Sequence, residues 1–428
     1  MKKAIITVFI VLLVIPSGIY LFIRYKSNKC GDGICQSFEQ IRASCQKDCN
    51  AESPLTNSNQ KTDCSIKKFE IIGNGYFPRV SKTGKITFTR IVNDQYEVFT
   101  MNSDGSGDKC MTCGKRELSN VRFRGQSAWS PDEKYIVFTG EASKYPRKGT
   151  GTTTRPGIGR NHNVWLMTAD SSRFWQLTDY PENWGVIEPY FSHDGSMLSW
   201  GEEFMMEKYP NGKPQIDKHP GCYWGPQNLI FRKGEELCIW RIKYGKISYD
   251  NTGKPAISDL INVNPPENFT MIEPGGFTPD DKGFIYSYAD LKDSPDGRGL
   301  WPDIFTTDLT GGNLKQLTKT PQIEEETAYS PDGKKIVVKR ANKYPAADNN
   351  DELWIMDSDG NYLVQLTHFN DIGYPEYDPK SKQNAEHSWD PSGKAIYVGH
   401  VSDNGANGTE LPGIIYKINF VGNCGNNK

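Results

Sequence analysis

The chain has 428 residues, a formal net charge of −2 and ten cysteines. Its 41 glycines, 12% aromatic residues and 36% apolar residues favour many short strands and turns over large helical cores. Binding to a phosphate backbone needs a clear basic excess, which this composition lacks, so nucleic acid is not expected as a partner.

The N-terminus begins with an apolar segment. Residues 4–23, "AIITVFIVLLVIPSGIYLFI", carry no charge and follow Lys2 and Lys3. About 20 apolar residues are enough to cross a bilayer as a helix, so residues 1–26 are expected to form a membrane anchor. A cleaved signal peptide is the alternative, although no small-x-small cleavage site follows the apolar core.

A cysteine-rich segment follows at residues 30–49. Its four cysteines are Cys30, Cys35, Cys45 and Cys49. This spacing is not a usual zinc pattern, and it favours a small two-disulfide knot outside the cytoplasm. We therefore expect a single-pass protein of the cell membrane whose bulk is periplasmic or extracellular. Asp32, Glu39 and Asp48 could hold Ca²⁺, or they could simply be solvated.

After a polar linker at residues 50–63, a short motif recurs six times. It combines an apolar or aromatic residue, a Ser-Pro-Asp-Gly-like turn and a β-rich apolar run. The copies are "VSKTGKITFT" (80–89), "WSPDEKYIVF" (129–138), "FSHDGSMLSW" (191–200), "FTPDDKGFIY" (277–286), "YSPDGKKIVV" (329–338) and "WDPSGKAIYV" (389–398). A fixed signature at such intervals indicates a solenoid, a propeller or another array.

A second signature follows most copies and reads as strand, Asp/Gly turn, strand. It appears at 96–112, 163–178, 303–318 and 352–367, for example as "ELWIMDSDGNYLVQLT". The first strand, the strand after the turn and this hairpin make four antiparallel strands, which is one propeller blade. The sequence therefore predicts an all-β fold, a six-bladed propeller over residues 64–424.

The two chain ends are expected to close the ring. The last blade lacks a fourth strand after "GIIYKINF" (413–420), and "KKFEIIG" (67–73) is a spare strand before the first blade. Closure would bring Cys64 next to Cys424, so we predict a disulfide between them. Cys222 and Cys238 could pair at the base of a long insertion. Cys110 and Cys113 could pair only with local distortion.

The doublet of SPDG-type turn and "MDSDG…QLT" hairpin resembles the TolB-type, WD-like β-propeller repeat over residues 65–420. The resemblance implies a propeller, an extracytoplasmic location and a protein-binding role. It does not imply the Tol role itself, because TolB carries an N-terminal α/β domain where this chain has the anchor, the cysteine-rich segment and the linker. Peptidases with similar propellers carry a hydrolase domain, but this sequence has no G-x-S-x-G elbow.

One glutamine and four glutamates occupy comparable positions before the turns on the predicted first strands. The positions are Gln126, Glu188, Glu273 (offset by one residue), Glu326 and Glu386, with His387 beside the last. Rotational repetition would gather them at one mouth of the channel, where they could bind Ca²⁺ or a basic ligand and raise one another's pKa. The alternative is structural: each Glu caps a neighbouring blade or pairs with an arginine such as Arg124 or Arg340, and His387 is a hydrogen-bonded core residue.

Two insertions, 141–163 and 202–237, lie between second and third strands and are expected on one rim. Arg155 and Arg160 give the first a basic character, and Tyr223 and Trp224 in the second could stack on a sugar or anchor a partner. Solvated decoration is the alternative for both.

These features predict a membrane-anchored, extracytoplasmic binding or scaffold module for another envelope protein or polysaccharide. The competing hypothesis is a lyase or glycosidase that uses the channel carboxylates. Propeller lyases that act on oligogalacturonides hold a metal with several histidines, and the six histidines of this chain do not form a matching set.

Overall fold

The computed structural model describes residues 64–425 except 143, 145–155, 183, 209–213, 216–236, 267–268, 291–300, 342–350 and 403–412. Before residue 64 it describes only a short hairpin that pairs Val14–Ile15 with Gly18–Ile19. The rest of the predicted anchor, the cysteine-rich segment and the linker lie outside the described residues. Within the described part of the chain, no helix combines the length and apolar character needed to span a membrane.

The propeller has six blades of four antiparallel strands, as the repeats predicted, and blades 3 and 4 are joined into one nine-stranded sheet by a Trp240–Met271 pair. Blade 1 comprises Tyr76–Val80, Ile86–Val92, Gln95–Met101 and Lys109–Cys110, and a 3₁₀ turn at Arg116–Leu118 leads to the next blade. Blade 2 comprises Val121–Trp129, Tyr135–Ala142, His162–Thr168 and Phe174–Gln176. Blade 3 comprises Val186–Phe191, Met197–Lys208, Leu237–Tyr249 and Pro255–Val263, with Pro214–Gln215 paired to its second strand.

The remaining blades repeat the pattern. Blade 4 comprises Phe269–Phe277, Gly283–Asp290, Asp303–Asp308 and Lys315–Gln316. Blade 5 comprises Ile323–Tyr329, Lys335–Ala341, Asp351–Asp357 and Val364–Gln365. Blade 6 comprises Ser381–Trp389, Ala395–Ser402, Gly413–Phe420 and, from the start of the propeller, Ile66–Asn74.

The predicted closure by both chain ends is confirmed. Ile66–Asn74 pairs with Gly413–Phe420 as the outer strand of blade 6. The Cys64–Cys424 disulfide, which spans 360 residues of sequence, joins the two ends beside that ladder. Each end is therefore held by backbone hydrogen bonds and by a covalent bond, and the ring has no unpaired junction.

The SPDG turn has the geometry that its residues favour. In blade 5 the Ser330 hydroxyl donates to Asp332 Oδ1 over 2.7 Å, and the Lys335 amide donates to Ser330 Oγ over 2.9 Å. Gly333 takes the left-handed conformation with φ of 71°, and Glu133 fills the equivalent position in blade 2 with φ of 57°. Glycine adopts this conformation without a steric cost, which explains its frequency in the motif.

Apolar side chains of the described residues gather into six clusters, one at each interface between neighbouring blades. Phe138 packs between blades 1 and 2, Trp200 between blades 2 and 3, and Phe284 between blades 3 and 4. Ile336 and Ile396 belong to the clusters between blades 4 and 5 and between blades 5 and 6. The sixth cluster lies between blades 6 and 1. Each blade is thus buried on both faces, and the inner strands are held in fixed positions around the axis.

Candidate functional site

The inner strands carry a β-bulge at the same place in five blades. The bulge residues are Phe77, Gln126, Glu188, Glu326 and Glu386, all with φ between 35° and 55°. Strand pairing shifts register at each of these points. A bulge adds a residue to one strand and re-aims its side chain. This explains why one offset from the turn identifies equivalent positions in the sequence.

The bulge residues from four blades are hydrogen-bonded to one another through side chains and backbone amides. Gln126 Nε2 donates to Glu386 Oε1 over 3.0 Å, and the Glu188 amide donates to Gln126 Oε1 over 3.3 Å. The Glu386 amide donates to Glu326 Oε2 over 2.6 Å. Arg79 forms an ion pair with the other oxygen of Glu386. These residues form one connected network across blades 1, 2, 3, 5 and 6, which we call the axial network.

Blades 4 and 5 add a lysine and two further carboxylates. Lys339, with its side chain 3% exposed, lies 2.5 Å from Glu326 Oε1 and 3.4 Å from Glu325 Oε2. Glu273 lies opposite Ser287 in the ladder, as Glu325 lies opposite Lys339. Glu273 is therefore equivalent to Glu325, one residue before the bulge position, which accounts for its offset in the sequence.

The charges of the axial network determine its protonation. Burial raises the pKa of Glu188, and Glu386 and Glu273 raise it further. Burial and Glu325 likewise raise the pKa of Glu273 well above its ordinary value. Burial alone would lower the pKa of Lys339, but Glu326 and Glu325 raise it, so the lysine stays charged. Carboxyls with raised pKa values and a charged lysine thus share one enclosed space.

Tyr190 and Arg79 cover this space on the side of the SPDG turns. Arg79 donates to the Tyr190 hydroxyl, and that hydroxyl donates to Glu188 Oε2 over 3.3 Å. Burial lowers the pKa of Arg79, but the neighbouring Glu386 carboxylate outweighs it, and the net pKa is raised. The guanidinium therefore remains charged and compensates Glu386.

His387 is a structural residue of the same layer. It is 2% exposed, and its Nε2 lies 3.0 Å from the carbonyl oxygen of Val337. Burial lowers the pKa of His387 to about 3, so the ring is neutral near pH 7 and Nε2 carries the donated proton. This environment matches the alternative given from the sequence, a hydrogen-bonded core histidine.

The arginines named from the sequence as partners lie elsewhere. Arg124 pairs with Glu97 over 2.6 Å, and Arg340 lies 3.5 Å from Glu324. The cations of the axial network are Arg79 and Lys339, which sequence reasoning missed. The sequence contained an indication for Lys339, since this lysine stands at a repeat position that holds a small residue in the other blades. These small residues are Thr89, Thr139, Gly201, Ser287 and Gly399.

The predicted Ca²⁺ site has no preformed ligand set in the axial network. Among the described residues, only Glu97, Cys110 and Cys113 bring three potential ligand atoms within 4.8 Å of one another. The carboxylates of the axial network instead accept hydrogen bonds from amides, a glutamine and the two cations. Ca²⁺ binding at the channel stays a prediction, as does Ca²⁺ at Asp32, Glu39 and Asp48, which lie outside the described residues.

The mouth of the channel on the turn side is a funnel of about 350 Å³. Its wall includes Trp129, Phe191, Phe277, Tyr329 and Trp389, one from each of blades 2 to 6, and its basic members are Arg79, Lys82 and His193. No described residue of this wall is an Asp or Glu. The prediction that carboxylates line the mouth of the channel is therefore wrong. They lie beneath Arg79 and Tyr190 and do not line the opening.

A larger groove of about 730 Å³ lies between the outer strands of blades 5 and 6. It is lined by Lys67, Phe69, Val364, Tyr374 and their neighbours. Side chains from two blades only meet there, whereas the funnel collects side chains from all six. We therefore take the funnel, with the axial network as its floor, as the candidate site.

The insertion residues give a mixed result. Arg155, Tyr223 and Trp224 lie outside the described residues. The predicted disulfide between Cys222 and Cys238 does too, because neither cysteine side chain is described. Arg160 is 4% exposed, and its backbone bridges to Gly185 at the boundary of blades 2 and 3. Arg160 is therefore a buried residue and not part of an exposed binding rim.

Comparison with known proteins places the chain by its fold. No protein-family model and no curated protein matches it. Among solved structures it resembles TolB from Acinetobacter baumannii, with 16% identity, a TM-score of 0.45 and coverage of 79% of this chain and 64% of that one. A putative TolB from Agrobacterium tumefaciens matches with 13% identity, a TM-score of 0.42 and coverage of 70% and 80%.

An oligogalacturonate lyase solved with manganese also matches, with 12% identity, a TM-score of 0.43 and coverage of 83% of this chain and 92% of that one. The chain spans less than two thirds of the Acinetobacter TolB. At these identities the likeness describes the fold alone. The repeat in the sequence and the topology of the blades describe a six-bladed β-propeller, and its likeness to TolB is one of fold.

Proposed function

We propose that this chain is an extracytoplasmic binding module whose funnel holds an acidic segment of another envelope protein or of an envelope polysaccharide. The observation that carries the proposal is the funnel wall. It combines aromatic side chains from five blades with Arg79 and Lys82, and its described wall contains no acid. Aromatic and arginine side chains dominate the energetics of many binding sites, and the basic side chains of the wall complement a carboxylate.

The axial network fits a structural floor better than a catalytic centre. A general acid or base must come within about 3 Å of the group it serves, directly or through one water. Glu188 is 4% exposed and Glu386 is 2% exposed, and both lie behind Tyr190 and Arg79. The lyase or glycosidase alternative would need these side chains to reach a substrate in the funnel.

Two disulfides among the described residues support a location outside the cytoplasm. Cys64–Cys424 and Cys110–Cys113 are both formed, and stable disulfides are characteristic of oxidising compartments. With the apolar residues 4–23 as a membrane anchor, the propeller would sit in the periplasm or at the cell surface.

The test is photo-crosslinking from the funnel in cells. A photoreactive amino acid replaces Lys82, which lines the funnel, or the control Lys246, whose side chain is 71% exposed in the third strand of blade 3. We expect a discrete crosslinked product from position 82 and none of the same mass from position 246. Protease digestion of that product distinguishes a protein partner from a polysaccharide.

Equal crosslinking from both positions would contradict the proposal. Purified chain is also incubated with a uronic-acid polysaccharide, and new reducing ends are measured. Release of reducing ends that is lost in Glu188→Gln would support the enzyme hypothesis, because this substitution removes only the ionisable group.

A further inference from the structure

Blade 1 has the sequence Cys-Met-Thr-Cys at residues 110–113, where blades 2, 4 and 5 carry Gln-Leu-Thr at the outer strand. Cys110 lies opposite Phe99 in the ladder of blade 1. In the same ladder position, Gln176 lies opposite Trp165 in blade 2, and Gln365 lies opposite Trp354 in blade 5. Cys110 thus occupies the glutamine position, and Cys113 follows three residues later. The two form a disulfide that sequence reasoning allowed only with local distortion.

The fold does not require a covalent bond at this place. In blade 2 the Gln176 side chain donates to the carbonyl oxygen of Thr178 over 2.6 Å. In blade 5 Gln365 donates to the carbonyl oxygen of Thr367 over 2.8 Å. In both blades hydrogen bonds from the glutamine side chain, including one to the residue three positions later, bridge this span without a covalent bond. Opening the disulfide should therefore leave the blade intact.

Thr112, between the two cysteines, is held independently of them. The Val98 amide donates to Thr112 Oγ1 over 2.9 Å, and the Thr112 hydroxyl donates to Glu97 Oε2 over 2.5 Å. Thr367 makes the same pair of hydrogen bonds in blade 5, where no cysteine is present. These bonds belong to the repeat and would persist after reduction.

The disulfide itself contributes little to folding and is accessible. It closes a loop across a sequence separation of 3, and the chain-entropy effect grows with loop length. Cys64–Cys424, by contrast, spans 360 residues, and its cysteines are 8% and 1% exposed. Cys110 and Cys113 are only partly buried, at the edge of the cluster between blades 6 and 1. The described residues thus include one structural and one solvent-accessible disulfide.

The two sulfur atoms of the accessible pair are not equivalent. The Cys113 amide donates a hydrogen bond to Cys110 Sγ over 3.1 Å. A donated N–H stabilises negative charge on sulfur and lowers the energy of a thiolate there. The Glu97 carboxylate lies within 4.8 Å of both sulfurs and opposes a thiolate on either one, but it is itself paired with Arg124, and only Cys110 receives the hydrogen bond. Cys110 is therefore the better leaving group, and Cys113 is the sulfur that an incoming thiolate attacks.

We propose that Cys110–Cys113 is a redox-active disulfide that exchanges with a dithiol of another extracytoplasmic protein. The partner's first thiolate attacks Cys113 Sγ, forms a mixed disulfide and expels the Cys110 thiolate. The partner's second thiolate then attacks the partner's first sulfur, which is bonded to Cys113 in the mixed disulfide. This step expels the Cys113 thiolate. The partner's two thiols are oxidised to a disulfide, and their two protons end on the Cys110 and Cys113 thiols.

The purified full-length chain is equilibrated with increasing dithiothreitol, quenched in acid, alkylated and mapped by peptide mass. We expect Cys110 and Cys113 to become alkylated together at a reductant concentration at least about tenfold below that needed for Cys64 and Cys424. Opening of both disulfides at the same concentration, together with unfolding, would overturn the proposal.

Two variants test the assigned roles. The pH dependence of alkylation is measured for Cys110 in Cys113→Ser and for Cys113 in Cys110→Ser. Alkylation of Cys110 should begin at a lower pH than alkylation of Cys113, because only Cys110 accepts the hydrogen bond. Coincident pH profiles would refute the assignment of Cys110 as the leaving group. The double variant should keep the melting temperature of the parent chain, and a large loss would show that the disulfide is structural.

Discussion

At the scale of single residues, two buried cations decide how the axial network holds together. Arg79 faces Glu386 and Tyr190, and Lys339 faces Glu325 and Glu326. Buried charges are tolerated only when they are paired and hydrogen-bonded, and both cations meet this condition. Removing one of them would leave carboxylates without a counter-charge in the interior.

Arg79→Met tests this directly. The substitution keeps most of the side-chain length but leaves Glu386 without its ion pair, so we expect the free energy of unfolding to fall by about 3 to 5 kcal/mol. Urea unfolding followed by tryptophan fluorescence measures the loss. The control is Lys134→Met, which removes a surface pair whose lysine side chain is 74% exposed and should change little. A similar effect of both substitutions would contradict the structural role of Arg79.

Glu188→Gln tests the protonation of the axial network. Burial and Glu386 raise the folded-state pKa of Glu188 above its ordinary value of 4.5. The folded chain then binds this proton more tightly than the unfolded chain, so stability is lost as pH rises from 4.5 through the raised pKa. The neutral variant escapes that loss. It should be more stable than the parent chain at about pH 8, and the gain should disappear by about pH 4.

The comparison is made by urea unfolding of both chains across this pH range. A stability difference that stays constant with pH would show that Glu188 titrates alike in the folded and unfolded chain. The raised pKa would then be wrong for this residue.

At the scale of the element, a threonine after each short outer strand fixes the hairpin of the blade. Thr367 is fully buried, accepts the Leu353 amide over 2.9 Å and donates to Glu352 over 2.6 Å. Thr112, Thr178 and Thr318 accept the equivalent amide in blades 1, 2 and 4. The outer strands of these blades have only two or three residues, so this side chain supplies hydrogen bonds that a longer ladder would provide.

Thr367→Val is the matching substitution. It preserves shape but removes the hydrogen bonds that Thr367 makes to the buried Leu353 amide and to Glu352 Oε2. It should cost about 1 to 3 kcal/mol of stability. Thr310→Val is the control, because Thr310 also donates to a carboxylate, Asp308, over 2.6 Å, but at an exposed turn. Chemical denaturation of both variants measures the difference. Equal costs would refute the role given to the buried threonine.

At the scale of the whole molecule, closure of the ring joins the two ends of the propeller. Cys64–Cys424 and the ladder between Ile66–Asn74 and Gly413–Phe420 hold the same junction. A cross-link across 360 residues removes much conformational freedom from the unfolded chain, roughly 5 kcal/mol or more in the chain-entropy account.

Cys64→Ala/Cys424→Ala should therefore lower the unfolding midpoint in guanidinium strongly. Cys110→Ser/Cys113→Ser should move it little, because that disulfide closes only a short loop. Circular dichroism of both double variants gives the two midpoints. Equal shifts would mean that the β-ladder alone closes the ring.

The sequence by itself determined the number of blades, the strand order within them and the closure by both ends. These features are written in local patterns: the SPDG turn needs particular backbone conformations, and alternation of apolar residues specifies strands. The comparable spacing of Glu188, Glu326 and Glu386 before their turns was also visible, because the repeat places equivalent residues at equivalent distances.

Only the tertiary structure decided what those carboxylates do. Bulges in the inner strands bring them into one buried space, Arg79 and Lys339 enter from different blades, and Tyr190 covers them. The burial and pairing of these carboxylates depend on contacts between residues far apart in the sequence. Arg79 and His387, for example, are 308 positions apart, and a spacing pattern does not predict such contacts. The same holds for the basic, aromatic character of the funnel, because its wall exists only once six blades have closed into a ring.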